Sequence, residues 1–385
     1  MDKVRFGIVG IGNMGSGHAK TLLSGAVERA ELTAVCDINP ARLDWAKENL
    51  PETVARFDDA EKLYASGLVD CVIIATPHYF HPPLTIAAFK AGLHAICEKP
   101  AGVYTKQVLE MNEAAAKYGK VFSMDFNQRT NPCYQKLREM VRGGELGELK
   151  RVNWIITDWF RTQAYYNSGG WRATWAGEGG GVLINQNPHQ IDLLQWTCGM
   201  PNRMRAFCQE GRFHDIEVED SVTAYFEYPN GATGVFITTT GEYPGTNRFE
   251  VAGTLGKVVI EGTTLEFYKN EVSDEDFIKN AQGGFGRINN EKIVYEFPDR
   301  GPQHKGIMQN VVNAILDGEE LLGNGVEGIN GLQISNAMHL SSWLDQWVDI
   351  PVDADLYLAE LQKRIDNSTF VKVVEEKTED TSGTY

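Results

Sequence analysis

A glycine motif near the amino terminus has the residue types and spacing needed to bind a dinucleotide. Its six residues are Gly10, Ile11, Gly12, Asn13, Met14 and Gly15. The motif follows an apolar run and precedes a helical pattern, as in a strand–turn–helix unit. In such a unit the first glycine permits the tight turn, the second lets the backbone approach a pyrophosphate, and the third allows close helix–strand packing. The helix N-terminus then offers N–H groups and partial positive charge to the anion.

Asp37 follows the second apolar run, 22 residues after Gly15. A carboxylate at this position accepts hydrogen bonds from the adenosine ribose and repels a 2′-phosphate, so it favours NAD over NADP. Neither residue directly after Asp37 is an arginine, although Arg42 is close enough to leave NADP as the less favoured alternative. The structural alternative is a glycine turn followed by a surface aspartate.

His189 has the residue type and position of a general base. Asn187 is a good N-cap and Pro188 suits the first helical position, which predicts His189 in the first turn of a helix. The positive end of the helix dipole keeps an imidazole there neutral, as a base requires. Asp192, three residues on, is expected to orient the ring. The alternative is a histidine that caps the helix in a satisfied hydrogen bond.

Lys99 follows a predicted parallel strand, at the edge where open α/β sheets bind ligands. A lysine there can donate to a substrate hydroxyl and stabilise a developing alkoxide. Its neighbour Glu98 is expected to position it. Thr76, Pro77 and His81 follow another strand end and are expected to contact the nicotinamide ribose. The alternative for Lys99 is a surface ion pair that ends a strand.

The segment 154–175 is unusually aromatic, and residues 159–175 within it are predicted to be a loop. Aromatic side chains on loops often bind ligands, and flat rings suit the apolar face of a sugar. Trp171 and Tyr166 are therefore expected to contact substrate, with Arg172 and Asp158 adding contacts to hydroxyl groups. The alternative is a subunit interface, since interfaces are also rich in Trp, Tyr and Arg.

The elements that must position these residues fall into two groups. Up to residue 125, short apolar runs alternate with helical patterns, which predicts a doubly wound parallel sheet. From 150 to 260, runs such as SVTAYFEY and ATGVFITTT alternate with turns, which predicts a larger, mostly antiparallel sheet. Asn230-Gly231 is a hairpin signal between two of these runs. Helices at 305–316 and 328–347 are expected to cover this second sheet.

The predicted organisation is a dinucleotide-binding domain at 1–125, a substrate-binding and oligomerisation domain at 126–370, and a loose tail at 371–385. The fold class is α/β: a Rossmann sheet followed by an α+β domain with a large open sheet. At 385 residues, the chain is long enough for two domains.

Composition excludes several function classes. The net charge of −16 disfavours nucleic acid and anionic membranes as partners. No apolar stretch is long enough for a membrane span. The first apolar strand begins at Val4, which leaves no room for a signal peptide, and the six cysteines are scattered; both predict a cytoplasmic protein.

No metal site is expected. His189 with Asp192, and His214 with Asp215, offer too few ligands.

Three segments together resemble the Gfo/Idh/MocA family, named for glucose–fructose oxidoreductase, inositol dehydrogenase and rhizopine catabolism. They are Ala-Thr-Pro at 75–77 with His81, GLHAICEKP at 92–100, and GGGVL through HQID at 179–192. The resemblance covers about residues 3–350. It implies NAD(P)-dependent chemistry at a secondary alcohol of a sugar, glycoside or cyclitol, with Lys99 and His189 acting on the hydroxyl. It also implies a Rossmann domain and an open sheet used for homodimers or homotetramers.

Two positions depart from the family pattern: Asn185 stands where the family has Asp, and Asn187 where it has Gly. An Asn cannot accept a proton, although Asn185 can hydrogen-bond a sugar hydroxyl. Two alternatives to a dehydrogenase stay open. One is an NAD-recycling glycosidase or lyase that works through a transient keto-sugar. The other is a non-catalytic regulatory protein that senses the dinucleotide.

Overall fold

The computed structural model describes residues 2–374. The first part of the chain alternates strands and helices, as the apolar runs predict. Its elements are β1 (Val4–Val9), α1 (Asn13–Leu23), β2 (Ala30–Cys36), α2 (Pro40–Asn49), β3 (Ala55–Phe57), α3 (Ala60–Tyr64), β4 (Cys71–Ile74), α4 (His81–Lys90), β5 (His94–Cys97), α5 (Thr105–Tyr118) and β6 (Phe122–Met124). The short elements β3 and α3 carry no clear periodic signal, and the sequence did not predict them.

The first sheet is fully parallel, with strand order β3-β2-β1-β4-β5-β6. Its strands end in register: Val9 is paired with both Cys36 and Ile74, and Cys97 with both Ile74 and Met124. The residues that follow these strands therefore share one edge of the sheet, the edge where open α/β folds bind ligands. The doubly wound Rossmann domain is confirmed.

The second part of the chain builds a sheet of nine strands, order β14-β13-β12-β11-β7-β10-β9-β8-β15. Its elements are α6 (Pro132–Arg142), β7 (Leu149–Ile156), α7 (Gln163–Asn167), α8 (Pro188–Cys198), β8 (Arg203–Glu210), β9 (Glu219–Glu227), β10 (Thr233–Thr239), β11 (Asn247–Gly253), β12 (Gly256–Glu261), β13 (Thr264–Asn270), α9 (Asp274–Asn280), β14 (Asn290–Glu296), α10 (Gln303–Asp317), α11 (Gly328–Leu344), β15 (Val348–Asp349) and α12 (Ala354–Asn367).

This second sheet is mostly antiparallel, as expected, and the pair β7 and β10 is parallel. Asn230 and Gly231 form the turn between β9 and β10, with Gly231 at a φ of 85°. The left-handed conformation that glycine tolerates closes this hairpin.

The expected position of the two late helices is correct for only one of them. Helix α11 packs on β8 and α8 of the second domain. Helix α10 instead packs on β1, and Met308, Val311 and Val312 join the core of the first sheet. Its apolar periodicity predicts a buried face but carries no information on which sheet covers that face.

Two further expectations need correction. Segment 159–175 is not all loop, because the short helix α7 lies within it. The beginning of the tail is not loose, because Lys372 Nζ donates to the main-chain oxygens of Tyr166 and Arg172, both at 2.6 Å. The rest of the predicted tail, from residue 375, lies outside the described residues. Among residues 2–374, no helix combines the length and apolar character of a membrane span.

Candidate active site

The glycine motif forms the predicted strand–turn–helix unit between β1 and α1. Gly10 has a φ of 93°, and a Cβ there would lie 2.6 Å from the main-chain oxygen of Ala75. A Cβ at Gly15 would lie 1.8 Å from the oxygen of Gly10, so the helix sits too close to the turn for any side chain. Gly12 is different: apart from its two chain neighbours, no heavy atom of residues 2–374 lies within 4 Å of a Cβ built there. Protein packing therefore requires the outer two glycines, and the space above Gly12 fits the approach of a pyrophosphate.

Asp37 lies directly after β2, beside the glycine turn. Its Oδ2 accepts a hydrogen bond from the Ile11 N–H at 2.7 Å, and its Oδ1 accepts one from the Asn39 N–H at 2.8 Å. The carboxylate is thus held next to the motif, and each oxygen keeps a lone pair for a ribose hydroxyl. This geometry suits the ribose-binding position that the sequence predicts.

Lys99 follows β5 and meets the second domain. Its Nζ donates to the main-chain oxygen of Asn185 at 3.1 Å. Burial lowers the pKa of Lys99, and the positive charges of Arg172 and Arg161 lower it further, while Glu98 opposes the shift. The ammonium group therefore gives up its proton more readily than a lysine in water, which suits a group that exchanges hydrogen bonds with a reacting hydroxyl.

His189 lies in the first turn of α8, after Asn187 at the N-cap and Pro188 at the first position. The Asn187 side chain does not cap the helix, because its Nδ2 donates to Thr238 Oγ1 at 2.7 Å and to the Val182 oxygen at 3.2 Å. The imidazole of His189 is 2% exposed, and neither of its nitrogens has a hydrogen-bond partner among the described residues. A buried imidazole with both nitrogens unpaired is free to bind a ligand hydroxyl.

Electrostatics keep this imidazole neutral. Burial lowers the pKa of His189 well below its usual value, and the nearby positive charges of Lys99 and His304 lower it further. The ring is thus unprotonated at neutral pH, the form that can accept a proton. The alternative that the sequence left open, a helix-capping histidine in a satisfied hydrogen bond, does not fit this geometry.

The expectation that Asp192 orients His189 is wrong. Both oxygens of Asp192 accept hydrogen bonds from Arg129, at 2.8 Å from Nε and 2.7 Å from Nη2. Each side chain is 1% exposed. A bidentate guanidinium is a stronger partner for a buried carboxylate than a neutral imidazole, and Arg129 comes from a segment 63 residues away that the local pattern does not reveal.

Asn185 belongs to a hydrogen-bonded group that the sequence did not identify. Its Nδ2 donates to Glu178 Oε1, and its Oδ1 accepts from the Tyr165 hydroxyl at 3.3 Å. The Tyr165 oxygen in turn accepts from Arg172 Nη1 at 2.9 Å and from Gln186 Nε2 at 3.1 Å. Burial raises the pKa of Glu178, which is 2% exposed. A carboxylate thus lies beside the position where the resemblance expects one.

The four aromatic-segment residues expected to bind substrate lie in different places. Trp171 is half-buried and packs edge-on against His78, with ring centroids 5.2 Å apart, and Arg172 lies over its ring. Tyr166 is 2% exposed and its hydroxyl bonds to Thr240, so it points into the core. Asp158 is exposed, two residues after the end of β7. Trp171 and Arg172 are therefore grouped with Lys99 and Asn185, whereas Tyr166 and Asp158 are not.

The remaining predicted cofactor contacts lie at the expected strand ends. The ring nitrogens of His81 lie 2.7 Å from the main-chain oxygens of Pro100 and Thr76. His81 therefore links the loop that follows β4 to the loop that follows β5. The hydroxyl of Thr76 is buried without a partner, which leaves it available to a ligand. Glu98 Oε1 lies 2.6 Å from His18 Nε2, and its Oε2 accepts weakly from the Lys99 N–H at 3.3 Å.

Glu98 also belongs to a largely buried cluster of four ionisable side chains that the sequence pattern did not reveal. The ligand atoms of His18, Glu98, Asp125 and His304 all lie within 4.8 Å of one another. Two imidazoles and two carboxylates are a donor set that can hold a divalent metal. Hydrogen bonds already pair His18 with Glu98 and His304 with Asp125, the latter at 2.9 Å. Although burial opposes it, Asp125 raises the pKa of His304 to about 8, as expected for an ion pair.

Two family models match this chain. A model described as the oxidoreductase family with an NAD-binding Rossmann fold matches residues 4–126, and one described as the GFO/IDH/MocA C-terminal domain matches residues 134–259. Together they cover more than half of the chain.

Similar proteins include curated enzymes and solved structures. The rhizopine catabolism protein MocA of Rhizobium meliloti is 27% identical over 74% of this chain and 89% of its own length. The D-glucoside 3-dehydrogenase of Escherichia coli is 32% identical over 52% of this chain and 60% of its own. The WlbA dehydrogenase of Chromobacterium violaceum, solved with NADH and UDP-GlcNAcA, superposes with a TM-score of 0.78 at 30% identity, covering 92% of this chain and 97% of that one.

Proposed function

Because this chain belongs to the Gfo/Idh/MocA family of NAD-binding oxidoreductases, we propose that it is an NAD-dependent dehydrogenase of a secondary alcohol on a sugar, glycoside or cyclitol. The names of its relatives support this substrate class. NAD, when bound, supplies the hydride acceptor. The residues of the chain must then hold the alcohol, remove its proton and keep water away.

One observation carries the proposal. Lys99 ends β5 of the dinucleotide-binding sheet, and its Nζ lies 3.1 Å from the main-chain oxygen of Asn185, four residues before His189. This contact joins the ligand-binding edge of the first sheet to the start of α8. An alcohol between Lys99 and His189 would meet a hydrogen-bond donor and an unprotonated base together.

The two side chains have complementary roles in this proposal. His189 takes the hydroxyl proton, since its imidazole is neutral and unpaired. Lys99 donates to the same oxygen and stabilises the negative charge that develops there. The buried position of His189 excludes bulk water from the transfer, which strengthens both interactions.

We propose NAD rather than NADP as the cofactor. Asp37, fixed beside the glycine turn through Ile11, supports this preference because its charge would repel a 2′-phosphate. The fit of Gly10, Gly12 and Gly15 supports dinucleotide binding in general and does not distinguish the two cofactors.

Homodimers or homotetramers are the proposed assembly. The outer face of the second sheet exposes three large side chains on neighbouring strands: Phe207 at 57%, Tyr225 at 38% and Trp347, just before β15, at 43%. Apolar surface of this kind supports an interface between copies. A cytoplasmic location is also proposed, and it is supported by the six free cysteines.

A substrate screen tests the function. The enzyme is incubated with sugars, glycosides and cyclitols and either NAD or NADP, and NADH absorbance and aglycone release are measured together. The proposal predicts stoichiometric NADH with NAD. Aglycone release without NADH accumulation would instead indicate the NAD-recycling glycosidase or lyase. A chain that binds NAD but reduces it with no compound would indicate a regulatory dinucleotide sensor.

A further inference from the structure

We propose that the substrate carries an anionic group, a carboxylate or a phosphate on the sugar, which pairs with Arg172 and Arg161. This inference rests on the proposed dehydrogenase function and names its substrate class more narrowly. It comes from a concentration of positive charge around the reacting position, whose three cations form no direct ion pair with a carboxylate in the described part of the protein.

Three cationic side chains meet around Tyr165. The Tyr165 hydroxyl accepts from Arg172 Nη1 at 2.9 Å and donates to the Asn185 side chain, whose own main-chain oxygen accepts from Lys99. The guanidinium carbons of Arg172 and Arg161 lie 4.7 and 5.1 Å from the centre of the Tyr165 ring. One aromatic ring thus holds both guanidinium groups next to the partner of Lys99.

None of these cations has a carboxylate partner among the described residues. Within residues 2–374, other arginines form direct ion pairs, including Arg5 with Asp70 and Arg129 with Asp192, whereas Lys99, Arg161 and Arg172 have no carboxylate oxygen within 4.0 Å. The Nε of Arg161 is buried without any hydrogen-bond partner in that range.

Glu178 is near enough to feel the charge of Arg172 but does not pair with it directly, because no guanidinium nitrogen lies within 4.0 Å of its oxygens among the described residues. Glu178 accepts from Asn185 Nδ2 and from the Ala173 N–H at 2.5 Å. In a chain of net charge −16, acidic side chains are abundant, so three half-buried cations left unpaired at one place point to a negative ligand.

Catalysis gives a reason for this arrangement. The oxidised nicotinamide ring is positive, so an alcohol substrate must bind among a cationic ring, Lys99 and two guanidinium groups. Like charges in a partly buried site repel one another. A carboxylate or phosphate on the substrate removes this repulsion, and the free edge of a guanidinium binds either group through two parallel hydrogen bonds. The pyrophosphate of NAD would bind elsewhere in this proposal, at the glycine turn after β1.

Matched substrates test the charge directly. A methyl hexuronide, its neutral methyl ester and the corresponding methyl hexoside 6-phosphate are each oxidised with NAD, at low and high salt. We expect kcat/KM for at least one anionic compound to exceed that of the ester by about tenfold or more, with the advantage falling as salt rises. A higher value for the uronide identifies a carboxylate site, and a higher value for the phosphate identifies a phosphate site.

Substitutions at Arg172 test whether this residue binds the anionic group. Arg172→Gln should lower the anion-to-ester ratio of kcat/KM by about 10- to 100-fold, as expected for the loss of a charge-assisted hydrogen bond. Arg287→Gln removes the same charge from an exposed connection, and it should leave the ratio unchanged. Arg172→Lys keeps the positive charge but cannot make two parallel hydrogen bonds to the anion, so it should give an intermediate ratio.

Two failures can be told apart. If the neutral ester is oxidised as well as both anions, or if Arg172→Gln lowers all rates equally, the anionic substrate is wrong while the dehydrogenase stands. If neither these compounds nor neutral sugars and cyclitols reduce NAD, the proposed function itself is wrong. The salt dependence of the wild-type enzyme tests the anionic substrate even if the variants do not fold.

Discussion

Asn185 donates a side-chain hydrogen bond to the buried carboxylate of Glu178. The other end of the same amide accepts from the Tyr165 hydroxyl, so the orientation of the amide is fixed by an acceptor on one side and a donor on the other. The resemblance expects an acid at position 185. This chain has the acid at position 178 instead, one hydrogen bond away, and an amide between it and the rest of the site.

Restoring an acid at position 185 should therefore be harmful. Asn185→Asp would place two carboxylates side by side in a buried site, where they must share a proton. We expect kcat to fall by about tenfold, which corresponds to a shift of about one unit in the pKa of the shared carboxyl pair. The loss should grow as pH rises, because the pair then loses its shared proton. Steady-state rates between pH 6 and 9 measure this effect.

The double variant Asn185→Asp with Glu178→Gln is the matched control. It places the acid at position 185 and the amide at position 178, so the pair again has one carboxylate and one amide. It should therefore recover most of the lost activity. If Asn185→Asp performs like the wild type at every pH and the double variant is worse, the Glu178–Asn185 bond has no role in positioning the site.

Cofactor choice should depend on the charge of Asp37. Asp37→Asn keeps an acceptor for the Ile11 N–H but removes the charge that repels a 2′-phosphate. We expect the NAD-to-NADP ratio of kcat/KM to fall by about tenfold, a change of about 1.4 kcal/mol in relative transition-state binding. Asp44→Asn on the exposed side of α2 removes the same charge and should leave the ratio unchanged. A wild-type enzyme that prefers NADP would show that Asp37 does not face the ribose.

Local signals in the sequence were sufficient for the glycine turn and the main strands of the first domain, although they missed β3 and α3. A glycine motif, an acid after the second strand and buried apolar runs each depend on neighbouring residues, and Gly10, Gly15 and Asp37 lie where these signals predict. The partners of Asp192 and Asn185 could not be found in this way. Arg129 and Glu178 reach them only through tertiary packing, and no periodicity marks either contact.

Two neighbouring residues on a short helix likewise have partners that only the tertiary structure decides. Tyr165 and Tyr166 are adjacent in the sequence, and only the placement of α7 decides that Tyr165 faces Arg172 while Tyr166 faces the core. The sequence pattern assigned substrate contact to Tyr166 and gave Glu178 no role. Aromatic composition identifies the segment as a binding region but cannot say which rings are exposed to a ligand.

The pH dependence of oxidation should reflect Lys99 and His189. Burial lowers the pKa of both groups. The value of kcat/KM should therefore stay flat as pH falls through about 6.5, the usual histidine value, because His189 remains neutral there. As pH rises toward about 10.4, the usual lysine value, the rate should fall early, because Lys99 loses its proton below that value. Initial rates measured from acidic to strongly alkaline pH test both the flat acidic limb and the falling alkaline limb of the profile of kcat/KM against pH.

Lys99→Arg is the control for the alkaline limb. A guanidinium still donates hydrogen bonds but does not lose its proton in this range. The variant should be slower overall and should lack the alkaline fall. An unchanged alkaline limb would assign it to another group.

Trp171 should affect substrate binding and leave the dinucleotide site unchanged. Trp171→Ala removes a ring that packs on His78 and supports Arg172. We expect kcat/KM to fall by about 2- to 10-fold, the usual range for one aromatic contact, with NADH affinity intact by fluorescence titration. Trp347→Ala, on the outer face of the second sheet, should alter the oligomeric state and not the KM. If Trp171→Ala changes only the oligomeric state, segment 159–175 is an interface.

The most direct measurement of the central claim is the turnover of His189→Ala with saturating NAD and substrate. If His189 takes the hydroxyl proton, kcat should fall by about 10²- to 10⁴-fold, while NADH binding and the far-ultraviolet circular dichroism spectrum stay as in the wild type. Asn185→Ala should be milder. Lys99→Ala should also be severe, and the double variant should lose less than the product of the two single losses, because both groups act on one oxygen. Near-normal turnover of His189→Ala would contradict the account and place the base elsewhere.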